Sequence, residues 1–156
     1  MMATPSQRLA ELGLELPKPA VPPFDYVPVT SHAGLLFVSG QLPKEDGEVR
    51  IRGRVGEHVD LALAKEAARI CTLQGLACAA NFVGGLDGIA GVLRLTGFVA
   101  SAGDFHDQPQ VLDAASRLLV SLFGERGRHA RSAVGVSTLP LCAAVEIEFV
   151  FAIDPG

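Results

Sequence analysis

The sequence predicts a single α+β domain in which a mixed six-stranded sheet carries two helices on one face, with a short helix preceding it. The chain has 156 residues, of which 49% are hydrophobic, and this is enough for one core without cross-links. Short runs of β-branched and aromatic residues are typical of strands. Two longer runs rich in Ala and Leu, each stopped by glycine, are typical of helices.

The first segment predicts a capped helix followed by a stiff connector. Thr4 suits the N-cap, Pro5 the first helical position, and Gln7 completes a capping box. Residues 17–23 contain four prolines, and such a segment is extended and semi-rigid. We therefore predict a helical and proline-rich extension over residues 1–22 and a main domain over residues 23–156.

Strands are predicted at residues 26–30 and 34–39, with a turn between them, and a short edge strand at residues 49–52. A long helix is predicted from Val59 to Val83, where Gly84 and Gly85 stop it. Gly75 inside this helix costs helical stability, so we expect that it allows close packing of the helix on the sheet.

The second half predicts a strand at Ile89–Ala100, a helix at Gln108–Phe123, and strands at residues 132–136 and Val145–Ile153. The last two strands are close in sequence, and we expect them to pair. Two helices cover only one face of a sheet. We expect the other face to be open and to carry Ser39, Arg131, Glu146 and Glu148.

The composition argues against several functional classes. A formal net charge of −4 does not favour nucleic-acid binding, because phosphate backbones need clustered Lys and Arg; the one basic cluster lies at residues 126–131. Three cysteines, an odd number, argue against a disulfide framework, and Cys71 and Cys78 are interpreted as buried thiols. No apolar run is long enough to span a membrane, and no leader peptide is recognisable, which predicts a cytoplasmic protein.

The strongest candidate for chemistry is the combination of Arg131 and Glu146. A guanidinium at a strand end can hold a carboxylate with two hydrogen bonds, and a nearby carboxylate can position or deprotonate a water molecule. If their strands pair, the two side chains come within reach and suit hydrolysis of a small anionic substrate. From the pattern alone, a structural ion pair on a wet sheet face is the favoured interpretation.

Other arrangements are weaker. Ser39 lacks the flanking pattern of a nucleophile elbow. Ser132 has His129 nearby but no orienting acid, and the histidines lack metal-binding spacing. Glycines at residues 84–88 lack the lysine and the spacing of a phosphate-binding loop. No metal or organic cofactor is predicted.

Several segments together resemble one known family. Residues 37–43 contain a Ser-Gly-Gln motif, and Tyr26 stands thirteen residues before Ser39. Residues 131–134 and 145–148 form a C-terminal motif around Arg131 and Glu146. In this combination and spacing the chain resembles the RidA/YjgF family, in a longer branch with an N-terminal extension.

The resemblance implies a chorismate-mutase-like fold of the bacillus type and a homotrimer with sheets packed around the threefold axis. It places three sites in clefts between subunits. The mean hydropathy of +0.34 agrees with the burial of additional surface in an oligomer. The implied ligand is a small metabolite that carries a carboxylate.

The activity that the resemblance implies is hydrolytic deamination of 2-imino acids to 2-oxo acids and ammonia. Arg131 would bind the substrate carboxylate, and Glu146 would position the attacking water. Tyr26 and Ser39 would line the cleft, and the backbone of Ala133 would contact the substrate nitrogen or the water.

The chain departs from the family pattern at two positions. Ala133 stands where the family often has Cys, and Gly103 stands where its deaminases often have Asn. Gly103 keeps a second function open, a trimeric protein that binds a metabolite without turning it over. A third, ribonuclease activity or translation inhibition, is supported only by the basic cluster at residues 126–131.

Overall fold

A computed structural model describes residues 2–154. The three α-helices are α1 (Pro5–Glu11), α2 (Leu61–Val83) and α3 (Gln108–Phe123). The strands are β1 (Val29–His32), β2 (Leu35–Gln41), β3 (Lys44–Glu45), β4 (Glu48–Val49), β5 (Ile89–Ala100), β6 (Ala130–Val136) and β7 (Val145–Ile153). The predicted fold class is confirmed, and β5, α3 and β7 have the predicted bounds.

The main sheet has five strands in the order β1-β2-β7-β5-β6, one fewer than predicted. The missing member is the short strand expected at residues 49–52. Glu48–Val49 pairs instead with Lys44–Glu45 in a separate hairpin. Its two-residue turn at Asp46 and Gly47 has φ angles of 51° and 81°, the left-handed backbone that closes a tight hairpin.

The expected pairing of the last two strands is wrong. β6 pairs in parallel with β5, and β7 lies on the other side of β5, antiparallel to both β5 and β2. The reason is the α3 connection between β5 and β6, since a helical crossover returns the chain parallel to the strand it left. Arg131 and Phe149 are therefore both partners of Leu95, on opposite sides of it.

The core lies between the sheet and helices α2 and α3. Along β7 the buried residues alternate with residues of the uncovered face, where Glu146 and Glu148 lie. Gly75 of α2 faces the ring of Phe149, and a Cβ built at this glycine would overlap the ring. The close packing predicted for Gly75 is therefore confirmed, and it sets the distance between α2 and β7.

We expect Gly75→Ala to destabilise the protein by about 1–3 kcal/mol, the usual cost of overpacking a core. In an exposed helix the same change stabilises by roughly 0.5–1 kcal/mol, so the sign of the effect is diagnostic. Urea unfolding followed by circular dichroism measures it. Gly103→Ala is the control, because a Cβ there meets no atom within 4 Å, and an increase in stability at Gly75 would contradict the packing argument.

Helix α1 is tied to the rest of the chain. The capping box predicted for Thr4 and Gln7 is present. Leu9 is buried in the common core, and Ser6 donates hydrogen bonds to Asp87 from its backbone N–H and its hydroxyl. The predicted boundary after residue 22 stays a prediction.

Two further predictions concern the cysteines and the second face of the sheet. Cys71 and Cys78 are free and buried, as predicted. The second face is open, as predicted, since Phe37 and Val134 on this face are 45% and 43% exposed. Within residues 2–154, no helix combines the length and the apolar character that crossing a membrane requires.

Candidate functional site

Glu146 lies on the uncovered face of the sheet near the start of β7. The carboxylate is half-buried, and removal from water raises its pKa above the ordinary value, with a smaller contribution from the negative charge of Glu148. The carboxylate occupies the space that a side chain at position 40 would take, since a Cβ on Gly40 would overlap it. The missing side chain of Gly40 thus makes room for a carboxylate with a raised pKa.

A bulge in β2 brings the Ser-Gly-Gln motif to this carboxylate. Val38 pairs with Phe149 and Gln41 with Ile147, so β2 uses one more residue than β7 between the two pairs. Bulges of this kind redirect side chains beside functional sites. Ser39 lies within this bulge, and its hydroxyl donates to the carbonyl of Pro28 at 3.3 Å.

A cavity of about 350 Å³ opens beside Glu146. Its walls are the proline-rich connector, the β2 bulge, one residue of α2, and the segment before β7. Tyr26 and Ser39 both line it, and the Tyr26 ring stacks on Phe24 with centroids 6.5 Å apart. Three of the predicted site residues, Tyr26, Ser39 and Glu146, are therefore brought together in one place.

Gln74 is a cavity residue that the sequence prediction missed. It lies on α2, is only 5% exposed, and lines the same cavity as Glu146. Its Nε2 donates to the carbonyl of Lys44 at 2.7 Å, whereas its buried Oε1 has no hydrogen-bond partner among residues 2–154. A long polar side chain on the same helix face as Cys71 and Cys78 was the signal that could have identified it.

Arg131 does not join this cavity in the same chain, and its predicted position on the uncovered face is wrong. It lies on the face of β6 that is turned toward the helices. Its Nη1 donates to Asp113 at 2.7 Å and to Ser116 at 3.2 Å, both on α3. Odd-numbered residues of β6 point to this face, because Arg131 is in register with the buried Leu95.

His129 contacts Ser116, not Ser132. Its Nδ1 lies 2.7 Å from the carbonyl of Gly127, and its Nε2 lies 2.9 Å from the hydroxyl of Ser116. Because a carbonyl only accepts, a neutral His129 carries its proton on Nδ1 and accepts from the serine. Ser132 instead accepts from Arg94 at 3.1 Å on the other face. The His129–Ser116 pair therefore supports the position of Arg131.

Gly103 and Ala133 lie apart from both groups. Gly103 lines a second cavity, of about 320 Å³, near the last residues of β5 and β6. Gly135 also lines that cavity, and four residues of extended strand, about 13 Å, separate it from Arg131. Ala133 packs against the core between them. One chain therefore holds the predicted residues in four places: the Glu146 cavity, Arg131, Ala133 and the Gly103 cavity.

No group of three or more potential metal ligands occurs within the described part of the chain.

The thiol of Cys71 lies 3.5 Å from the carbonyl of Val145, next to Glu146. Burial raises its pKa strongly, and the charge of Glu146 adds to the effect. Cys71 is therefore a neutral thiol beneath the cavity and a poor nucleophile.

Comparison with known proteins assigns the family. A model of the YjgF/chorismate-mutase-like endoribonuclease family matches residues 6–153. The chain belongs to this family. The matched range begins within α1, so the connector and most of α1 lie inside it. The RidA/YjgF resemblance read from the motifs is thereby confirmed at the level of the family.

Individual relatives agree with this assignment. Protein TCP17 of Trypanosoma cruzi is 42% identical over 90% of this chain and 88% of that protein. The crystal structure of Atu1372 from Agrobacterium tumefaciens, a protein of unknown function, is 45% identical, with a TM-score of 0.88 over 97% of this chain and 92% of that one. The crystal structure of a candidate endoribonuclease of Shewanella oneidensis is 31% identical, with a TM-score of 0.93 over 97% of this chain and 100% of that one.

Proposed function

We propose that this YjgF-family protein hydrolyses small 2-imino acids to 2-oxo acids and ammonia in a cleft between two subunits of a homotrimer. The observation that carries the proposal is Glu146, a half-buried carboxylate with a raised pKa beside a cavity. A carboxylate with a raised pKa is a stronger base than an ordinary one and can accept a proton and return it. Tyr26 and Ser39 line the same cavity, as the family resemblance requires.

Two subunits are needed because one chain keeps Arg131 and Glu146 apart. They lie on opposite faces of the sheet, with β5 between their strands. A four-carbon substrate cannot reach both side chains through a sheet. β6 is an edge strand, and an edge is available to a neighbouring subunit. In the proposed trimer, Arg131 of one subunit faces the Glu146 cavity of the next.

The proposed reaction uses only these side chains and water. Arg131 binds the substrate carboxylate, while Glu146 accepts a proton from the water whose oxygen attacks the imine carbon. The C–O bond forms as the C=N π bond breaks, and Glu146 returns the proton to nitrogen, which gives a neutral carbinolamine. Glu146 then carries the hydroxyl proton to the same nitrogen, the C–N bond breaks, and ammonia leaves together with the 2-oxo acid.

The ion pair with Asp113 is compatible with substrate binding. A guanidinium has five N–H donors, and Asp113 and Ser116 are contacted by Nη1 alone. The opposite edge of the guanidinium, formed by Nε and Nη2, can bind the substrate carboxylate in bidentate geometry. Asp113 and Ser116 thus orient Arg131, and they are expected to leave its second edge for the substrate.

Mixing two inactive variants tests the proposal. Arg131→Ala and Glu146→Gln should each lose almost all activity toward 2-iminobutanoate generated by an amino-acid oxidase. After unfolding together and refolding, mixed trimers should recover about a quarter of the wild-type activity, because a cleft then receives both intact residues by chance in one arrangement of four. Release of 2-oxobutanoate is the measurement.

The control is each variant unfolded and refolded alone, which should remain inactive. Arg117→Ala is the matched control, because it removes an arginine from the exposed face of α3. This variant should behave like the wild type in the same assay. If the mixture stays inactive although trimers form, the cleft between subunits is wrong. If Arg131→Ala alone is as active as the wild type, the role of Arg131 is wrong.

A metabolite-binding protein without turnover is the second candidate. It is favoured by the 2.7 Å ion pair of Arg131 with Asp113, which already neutralises the guanidinium, and by Gly103 in place of a polar side chain. The two candidates differ in one measurement. A rise in the melting temperature with 2-oxobutanoate, without any acceleration of imine hydrolysis, would select the binding protein.

Ribonuclease activity has little support from the basic cluster. Arg126 donates to the carbonyl of Ala90 at 3.0 Å, and Arg128 lies 3.1 Å from Glu125. Arg131 is held by Asp113. These contacts, with a net charge of −4, leave a poor surface for a phosphate backbone.

A further inference from the structure

We propose that Gln74 selects ligands that carry an N–H group, by accepting a hydrogen bond from the ligand nitrogen at its Oε1. This inference rests on the proposed function, because it takes the Glu146 cavity as the ligand site. It adds a residue from helix α2 to a site otherwise built from strands and loops. It also names the chemical class that the cavity prefers, an iminium or ammonium group over a carbonyl.

The orientation of the Gln74 amide follows from its one partner. Nε2 donates to the carbonyl of Lys44 at 2.7 Å. Exchanging the amide oxygen and nitrogen would place two carbonyl oxygens at that distance, which is repulsive. The Lys44 carbonyl belongs to strand β3, which is held by its pairing with β4. Oε1 is therefore the end of the amide left for another donor.

The position of Gln74 puts its side chain at the wall of the site. Cys71, three residues earlier on the same helix face, contacts the carbonyl of Val145 next to Glu146. Gln74 itself lines the cavity together with Glu146, Tyr26 and Ser39. The amide thus approaches the cavity from the helix side, whereas Glu146 approaches it from the sheet.

Burial makes the unpaired oxygen informative. Gln74 is 5% exposed, and no donor among residues 2–154 reaches Oε1. A buried acceptor without a donor costs stability, and native proteins retain such groups mainly where they have a function. The last torsion of a glutamine side chain is soft, and we expect the amide to turn so that Oε1 meets a ligand nitrogen in the cavity.

The chemistry of the cavity then distinguishes substrate from product. The Glu146 carboxylate and Gln74 Oε1 are both acceptors. A 2-imino acid presents N–H donors to them, whereas a 2-oxo acid presents another acceptor and leaves Oε1 unpaired. Sites built to pair with a ligand N–H reject analogues that lack it. Gln74 therefore favours binding of the imine and release of the oxo acid.

Two stable probes of equal carbon length test the inference. L-2-aminobutanoate carries the N–H donors, and 2-oxobutanoate lacks them. Calorimetric titration of the wild type should show tighter binding of the amino compound. In Gln74→Met, which keeps the length of the side chain without an acceptor, that preference should fall by roughly tenfold or more, while binding of 2-oxobutanoate changes less than about twofold.

The matched control is Gln110→Met on the exposed surface of α3, which should keep the wild-type preference. If Gln74→Met keeps it as well, the role of Gln74 is wrong while the proposed function stands. If the wild type binds neither probe, the proposed function fails and this inference with it. If Gln74→Met does not fold, the side-chain amide resonances of Gln74 in the wild type decide: they should shift with the amino probe and not with the oxo probe, and the reverse overturns the inference.

Discussion

Glu146→Gln should lower kcat for 2-iminobutanoate hydrolysis by about 10²- to 10⁴-fold, the usual contribution of a positioned general base. Glutamine has nearly the same shape as glutamate, but it cannot accept a proton from the attacking water. It also fits the space beside Gly40, so we expect the fold to be kept. The measurement is the rate of 2-oxobutanoate release at saturating substrate, and wild-type kcat in this variant would exclude Glu146 as the base.

The pH profile provides an internal control for this prediction. Desolvation raises the pKa of Glu146. The acidic limb of the pH–activity profile, in which activity rises with pH, should therefore have its midpoint above the pKa range of an ordinary carboxyl. Glu148→Gln removes the like charge, which is the smaller cause of the shift. The limb should then move to lower pH with activity retained. A limb that does not move would contradict the coupling between the two carboxylates.

The stability profile has a defined sign. A carboxyl whose pKa is higher in the folded than in the unfolded state favours folding when protonated. Its contribution is present below the unfolded-state pKa and is lost as the pH rises through the folded-state pKa. At neutral pH, Glu146 is therefore a destabilising residue, and Glu146→Gln should be the more stable protein. A loss of activity with a gain of stability is typical of a functional residue.

Phe149→Ala should destabilise the protein by about 3–5 kcal/mol, as expected for truncation of a buried aromatic residue. Phe149 is 2% exposed, lies on β7 in the middle of the sheet, and packs under Gly75 of α2. Its ring also stacks on Phe151 with centroids 5.5 Å apart. The truncation leaves a cavity where α2 meets the sheet, and urea unfolding measures its cost.

Phe82→Ala is the matched control, because Phe82 lies at the end of α2 and is 48% exposed. We expect its cost to be below about 1 kcal/mol, as for surface substitutions. Equal losses in the two variants would mean that Phe149 does not anchor α2 on the sheet. If Phe149 has only a local role, Cys71 stays buried in Phe149→Ala. If Phe149 anchors α2, Cys71 becomes more reactive toward a thiol reagent in this variant, which provides a second measurement.

The local sequence determined β5, α3 and β7 and identified one group of candidate site residues. β5, α3 and β7 have clear periodicity and glycine or proline at their ends, so their bounds follow from interactions within a few residues. Tyr26, Ser39 and Glu146 were identified by motif spacing, and they share one cavity because β2 and β7 are neighbours in the sheet. Gly75 was also interpretable, since a glycine inside a helix needs a packing reason.

Only the tertiary structure decided the strand order, and with it the surroundings of Arg131 and Gln74. Sequence proximity suggested that β6 and β7 pair, but the pairing of strands is set by non-local packing, and α3 carries β6 to the far side of β5. Arg131 therefore contacts Asp113 on the helix side of the sheet, and Glu146 lies on the other side. The orphan oxygen of Gln74 depends on contacts between α2, β3 and β7, which no local pattern contains.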